Sequence, residues 1–509
     1  MVVQKYKTNI KPTEKEQHPS IKCPHINNTP LLIQLRRQRM HAFENQAWRP
    51  NLMPYFTINM TNQRLNKYKS IVLFLGVLLC SLTMEIKSAH AQLSKVEKRI
   101  AKGVDAYNPT AMKLWEEVVN INSGSMNFDG VYKVGQVFKA RFDALGFTTR
   151  WVDGKPFNRA GHLIAEHKGK PTGKTILLIG HLDTVFELSS PFQTFKWVND
   201  STVHGPGVGD MKGGNVIIVE AMQSLKEAGV LKDMNIIVVM SGDEELSGSP
   251  LALARHDLIE AAKRADVAIG FEDGDGRFES ANISRRSSSD WELKVTGVPS
   301  HSSQIFTENI GAGAIYEASR ILMGFYSELS KEKDLTFNPG VILGGTTVDH
   351  DADMNGGKAF GKDNIVSKDV VVTGDIRAVS PEQQKKAQAV MMDVVAKHLP
   401  KTNAEIKFSE GYPPLAPTPG NYELLSFFDQ VSKDLGFGPV KAVNPRDAGA
   451  ADISFTSGYV DMAIDGLGPR SAGGHTVNET ADPRTIPMEA KRAAVLLYRL
   501  TTNKTQTKR

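Results

Sequence analysis

Cysteine is nearly absent. The 509 residues contain two, Cys23 and Cys80, and none follows. A thiolate zinc site and a disulfide-stapled scaffold are therefore excluded for everything beyond residue 80. A dominant charge is missing as well. The formal net charge is +5, but residues 1–59 hold nine Lys/Arg against three Asp/Glu and residues 60–91 four against one, which leaves −4 for the remainder. The basicity belongs to the leader, and it gives no support for nucleic acid as a partner. The apolar stretch Ile71–Leu79 is too short to span a bilayer comfortably. Repeats and heptads do not stand out, and with 40% apolar and 23% charged residues the composition does not indicate extensive disorder.

The segment starting at Met60 has a basic beginning (Arg64, Lys67, Lys69), the apolar stretch just named, and Ala89-His90-Ala91. This pattern predicts a secretory signal, residues 60–91, cleaved after Ala91. Residues 1–59 then read as an extension from a start codon placed too far upstream; a tethered protein with a cytosolic tail is the alternative. Cys80 follows the bulky Leu79, which does not suit lipid attachment. The expectation is an exported protein, periplasmic or secreted, with no membrane attachment once the signal is removed.

At 509 residues, two domains are expected. "KTILLIG" (174–180), "MNIIVVM" (234–240) and "ADVAIG" (265–270) are continuously apolar strands, separated by helical patterns at 214–229 and 250–263. Earlier helices are read at 107–119 and 131–145. Such runs argue for an α/β sheet covered by helices on both faces, with its chemistry beyond the strands' carboxyl ends. After Ser284 the pattern alternates and follows a strand-helix-strand-strand-helix-strand order, the ferredoxin-like split βαβ arrangement. "NGGKAFGKDN" (355–364) reads as an exposed loop. The domain reading is a main part 92–284, an inserted domain 285–411 and a second main part 412–509.

Chemistry-bearing residues collect at the strand ends. "GHLDTVF" supplies His181 and Asp183, whose two-residue spacing lets one ligate a metal while the other orients it. "HGPGVGDMKGGN" places Asp210, able to bridge two cations, in a loop of five glycines; it lacks the Lys-Ser/Thr ending of a phosphate-binding loop. "MSGDEELSG" sets Asp243, Glu244 and Glu245 side by side after a dry strand, where like charges repel unless something positive is held there. "IGFEDGDG" supplies Glu272 and Asp273, and "GPRSAGGHTVNE" supplies His475. Carboxylates and two imidazoles without thiolates suit zinc, with cobalt or manganese as possible substitutes.

Together, His181-x-Asp183, Gly209-Asp210-x-Lys212-Gly213-Gly214, Asp243-Glu244-Glu245, Glu272 and His475 resemble the M20 family of zinc peptidases and amidohydrolases, its glutamate carboxypeptidase-like branch most of all. The resemblance covers nearly all of 95–505. It implies a zinc-exopeptidase-like catalytic domain with an inserted lid or dimerisation domain, and a homodimer formed through the latter. It further implies that His181 and Glu272 bind one zinc, Glu245 and His475 the other, and Asp210 both. Asp183 would orient His181, and Glu244 would be the general base. His301, in "TGVPSHSSQ", is implied as an oxyanion stabiliser. Arg377 and Asn364 are implied to hold a substrate carboxylate, although Val366-Ser367 replaces the usual Ile-Pro after that Asn.

Three assignments stay open on the residues alone: Glu272 or Asp273 as ligand, Asp243 as loop cap or participant, and Arg377 as binding group or surface ion pair. Arg285-Arg286 read as a hinge anchored by salt bridges. The expected activity is release of a C-terminal residue, acidic in the glutamate-type case, from a peptide or N-acyl amino acid. An aminoacylase or dipeptidase is the alternative. A non-catalytic periplasmic binding protein is disfavoured, because ligand binding alone needs no base such as Glu244.

Overall fold

The computed structural model describes residues 93–502, apart from Thr172 and Asp353. The expected extension and export signal, residues 1–91, lie outside the described residues.

The three apolar runs form strands Thr175–His181, Asn235–Ser241 and Val267–Gly270, which lie parallel with Met462–Ile464 in one six-stranded sheet. An antiparallel pair, Thr148–Asp153 and Gly161–His167, completes one edge. Along each central strand the side chains alternate between two apolar layers. Ile176, Leu178, Ile236 and Val238 face the layer that holds helices Lys95–Val119, Lys212–Glu227 and Thr485–Thr502, while Leu177, Ile179, Ile237 and Val239 face Leu258, Ile453 and Phe455. Burial on both faces is why these strands carry no polar alternation.

Helix Lys95–Val119 begins twelve residues before the period read from sequence. A reciprocal capping box starts it: the Ser94 amide donates to Glu97 Oε2 (2.6 Å), and the Glu97 amide donates to Ser94 Oγ (3.2 Å). Pro109 sits inside the helix. Helix Phe128–Leu145 ends at Gly146, whose φ of 94° is open to glycine at little cost.

Strands Ser289–Thr296, Thr336–Gly345, Asp369–Arg377 and Asn403–Phe408 build a second, wholly antiparallel sheet, with the 336–345 strand at one edge and 403–408 at the other. Helices Ala314–Leu329 and Pro381–Val395 cover one face, over a core that includes Trp291, Leu293, Ile321, Phe325, Val372 and Met391. The stretch read as an exposed loop is in part a strand: Gly356–Phe360 pairs with Thr347–Asp351 in a hairpin. Its residues are exposed or half-buried, so backbone pairing leaves no apolar period to read. No helix among the described residues is long and apolar enough to cross a membrane.

Candidate metal centre

Because the strands ending at His181, Ser241 and Gly270 run parallel and in register, the segments that leave them emerge on the same side of the sheet. His181 is the last residue of its strand and is buried. The residue before it must be glycine, since a Cβ at Gly180 would lie 2.1 Å from Asn215 Oδ1. Asn215 in turn donates from Nδ2 to the His181 carbonyl at 2.5 Å. His181 Nδ1 lies 3.1 Å from the Asp183 carbonyl and 3.3 Å from Asp183 Oδ1, which leaves Nε2 for other partners.

Those partners are Asp210 Oδ1 at 3.0 Å and Glu272 Oε1 at 3.4 Å. The other Asp210 oxygen, Oδ2, lies 3.0 Å from His475 Nε2, and Glu245 Oε2 lies 3.1 Å from the same nitrogen. Two ligand sets result, His181–Asp210–Glu272 and Asp210–Glu245–His475, and within each the ligating atoms lie within 4.8 Å of one another. Asp210 belongs to both. His475 reaches the site with φ at 61°, a left-handed backbone that few histidines adopt.

The electrostatics ask for positive charge. Burial, reinforced by Asp210, pushes the Glu272 carboxyl up to about 8 and that of Glu245 up to about 7. Burial also drives Glu244 well above its ordinary value, with Glu272, Asp452 and Glu245 adding repulsion. Hydrogen bonds to Asp210 and Glu245 push His475 up to about 11. Burial alone would lower His181, but Glu272, Asp183 and Asp210 hold it well above normal. Glu245 Oε1 is buried without a hydrogen-bond partner. A divalent cation in each set would supply both the missing charge and that partner, and zinc accepts this mixture of oxygen and nitrogen donors.

Several neighbours act by placing these groups. Asp183 is buried; its carboxylate accepts from Ser125 Oγ at 2.6 Å and from the amides of Glu244 and Glu245, each at 3.1 Å. Asp243 points away from the ligand sets. It accepts from Arg255 Nη1 at 2.6 Å and from the Gly248 amide at 2.7 Å, so it caps the turn. Asp273 takes the Ser471 hydroxyl at 2.5 Å and stands outside both sets, whereas Glu272 lies within one. Arg285 donates from Nε to Asp465 at 3.0 Å in a buried pair, and Arg286 donates to Thr336 Oγ1 at 2.7 Å.

The remaining candidates sit on the inserted domain. His301 is exposed and lies 2.8 Å from Ser303 Oγ. The Ser302 amide donates to the Asn364 carbonyl at 2.8 Å, which puts His301 and Asn364 on neighbouring turns. Arg377 Nε donates to Asp375 at 2.9 Å on the sheet face opposite the two helices. None of the three is joined to the ligand sets by a hydrogen bond or ion pair among the described residues.

Sequence reasoning overlooked Glu479. This buried carboxylate accepts from the amides of Gly207 (2.9 Å), Gly209 (2.8 Å) and Asp210 (3.1 Å), and so fixes the loop that carries the shared ligand. Its only sequence cue was its place at the end of the His475 segment.

A family model for peptidase family M20/M25/M40 matches residues 177–499. The chain belongs to that family. As an M20 peptidase it is a hydrolytic enzyme of a typically zinc-dependent group. Carboxypeptidase G2 of Pseudomonas sp. (strain RS-16) is 26% identical over 398 residues, covering 75% of this chain and 88% of that protein. Among solved structures, aminopeptidase PepT from Bacillus cereus shares the fold at a TM-score of 0.61 and 17% identity, covering 77% of this M20 chain and 98% of its own. The Bacillus subtilis YXEP protein, described as a dinuclear metal binding peptidase, does so at 0.54 and 13%, covering 78% and 99%.

Proposed function

We propose that this M20 enzyme is a two-zinc carboxypeptidase that releases a C-terminal residue, acidic by preference, from a peptide or N-acyl amino acid. The observation that carries this reading is Asp210, with one oxygen 3.0 Å from His181 and the other 3.0 Å from His475. The likeness to carboxypeptidase G2 favours the carboxypeptidase direction.

His181, Glu272 and Asp210 would hold one ion, and Glu245, His475 and Asp210 the other. Bound there, zinc would act as a Lewis acid and bring the pKa of a water to roughly 7. Glu244, next in the chain to the ligand Glu245, lies in the same crevice and faces His181 and Glu272. It takes the proton of the attacking water and delivers it to the leaving nitrogen. Asp183 keeps the His181 ring in one orientation. On the inserted domain, Arg377 and Asn364 receive the substrate carboxylate and His301 the carbonyl oxygen as that domain meets the crevice. A planar guanidinium suits a carboxylate through two parallel hydrogen bonds. We further read residues 60–91 as an export signal, and the open edge of strand Thr336–Gly345 with the exposed Ile315, Met323 and Tyr326 as the face on which two copies pair.

The test is metal analysis of the purified protein, combined with amino acid release from N-acyl amino acids and dipeptides bearing acidic, basic or apolar C-terminal residues. Two zinc ions per chain, activity abolished by chelator and restored by zinc, and fastest release of glutamate or aspartate are expected. Hydrolysis that survives complete metal removal, or cleavage only at the amino end, would rule the reading out.

A further inference from the structure

Two segments join the inserted domain to the main body, and they pair with each other. Arg285 exchanges backbone hydrogen bonds with Leu415 (3.0 and 2.9 Å), and Ser288 with Tyr412 (3.0 and 2.9 Å), which makes a short antiparallel ribbon. Each arm of the ribbon is wired to a different part of the site. On the outgoing arm, Arg285 holds Asp465, and Asp465 Oδ1 accepts the Glu272 amide at 3.3 Å. On the returning arm, the Tyr412 hydroxyl lies 3.0 Å from the Glu244 carbonyl.

The second link has a defined direction. Arg255 Nη2 donates to the Tyr412 oxygen at 2.6 Å, so the single phenolic hydrogen is left for an acceptor. Two acceptors are within reach, Glu244 O at 3.0 Å and Asp452 Oδ1 at 3.1 Å. Asp452 Oδ1 also receives Arg255 Nε at 2.8 Å, so the phenol is held between that carboxylate and the Glu244 carbonyl, to which it is the side-chain donor. The Tyr412 ring is itself held edge-on by Phe455, 5.0 Å between centroids, and lies 5.4 Å from the Arg255 guanidinium carbon. Glu244 is thus pinned at both of its peptide planes: its amide by Asp183 at 3.1 Å and its carbonyl by Tyr412. Fixing both planes fixes the direction in which Cα projects the carboxylate.

We infer that Tyr412 is a positioning residue for Glu244, and that through it the attitude of the inserted domain is transmitted to the carboxylate that moves the proton. This rests on the reading of Glu244 as the base. A base displaced by a fraction of an ångström leaves substrate binding intact and slows the proton transfer, so the effect belongs in kcat and not in KM.

The experiment compares Tyr412→Phe, Glu244→Gln and the double variant in the full-length protein, with N-benzoyl-glutamate as the probe. Zinc content and thermal melting are measured on the same samples. Tyr412→Phe keeps the ring against Phe455 and Arg255 and deletes the hydroxyl. A kcat loss of about ten-fold is expected, with KM within about two-fold and unchanged zinc content. In the Glu244→Gln background, the second substitution should cost nothing further. An unchanged kcat in Tyr412→Phe, a loss that tracks zinc content or melting, or a full further loss in the double variant would overturn the inference. Glu244→Gln that hydrolyses at the normal rate would instead remove the base assignment on which it stands. Should Tyr412→Phe fail to fold, Pro413→Gly decides. It keeps the phenol but frees the Tyr412 backbone that proline restrains, so a smaller kcat loss with the same KM supports the inference and an unaltered kcat overturns it.

Discussion

The two sheets of the molecule handle charge in opposite ways. In the inserted domain one sheet face carries no helix, only the 347–360 hairpin reaching over it to Thr373 and Glu292, and its charged residues neutralise each other along or beside their own strands: Lys294 with Glu292 (2.8 Å), Arg377 with Asp375 (2.9 Å), Lys407 with Glu405 (3.4 Å). In the main domain the strands are dry along their length and the acids gather where the chain leaves them. There Asp210, Glu244, Glu245 and Glu272 face two histidines and one another, with no lysine or arginine paired to them among the described residues. Water and local cations settle the first arrangement. The second is an unbalanced field that only a bound cation completes, and that is the physical difference between a surface and a metal centre.

Buried charge in the main domain that does have a protein partner provides the sharpest contrast. Arg255 is buried and bridges Asp243 and Asp452, at 2.6 and 2.8 Å. Arg255→Met should leave two carboxylates stranded and cost about 3–5 kcal/mol, read as a lower urea midpoint. Glu220 is the intermediate case: it is buried with both carboxylate oxygens unpartnered, and Lys491 and Asp105 are the charged groups that face it. Burial pushes its carboxyl up to about 8, against an ordinary value of 4.5. The folded protein therefore keeps a proton that the unfolded chain releases, and each rise in pH between those two values favours unfolding. Glu220→Gln should remove that slope, with a gain of about 2–4 kcal/mol at pH 8.5 and little change at pH 4.5, measured by urea denaturation at both. At the exposed end of the comparison, Lys294→Ala should shift stability by no more than about 0.5 kcal/mol, with the same assay as the check.

What the amino acids revealed in advance follows the same division. Continuous apolar runs announced the three central parallel strands, because burial on both faces removes every polar residue. The edge pair Thr148–Asp153 and Gly161–His167 was harder to see, since the outer strand carries Thr148, Arg150 and Asp153 at exposed positions. The hairpin at 347–360 is held by backbone bonds, to which composition is blind. At the site, residues in acidic pairs or glycine-rich contexts drew notice. Single residues that act through one distant partner did not: Glu479 meets Gly207 across 272 positions, Asp465 meets Glu272 across 193, and Tyr412 meets Glu244 across 168. Such contacts are set by where strands end in space, which no local spacing records.

Glu479 has one more consequence. A glycine-rich turn whose amides converge is the usual berth for a phosphate, and in this enzyme that berth already has a permanent tenant from its own chain. Nucleotides and sugar phosphates should find no purchase beside the shared aspartate.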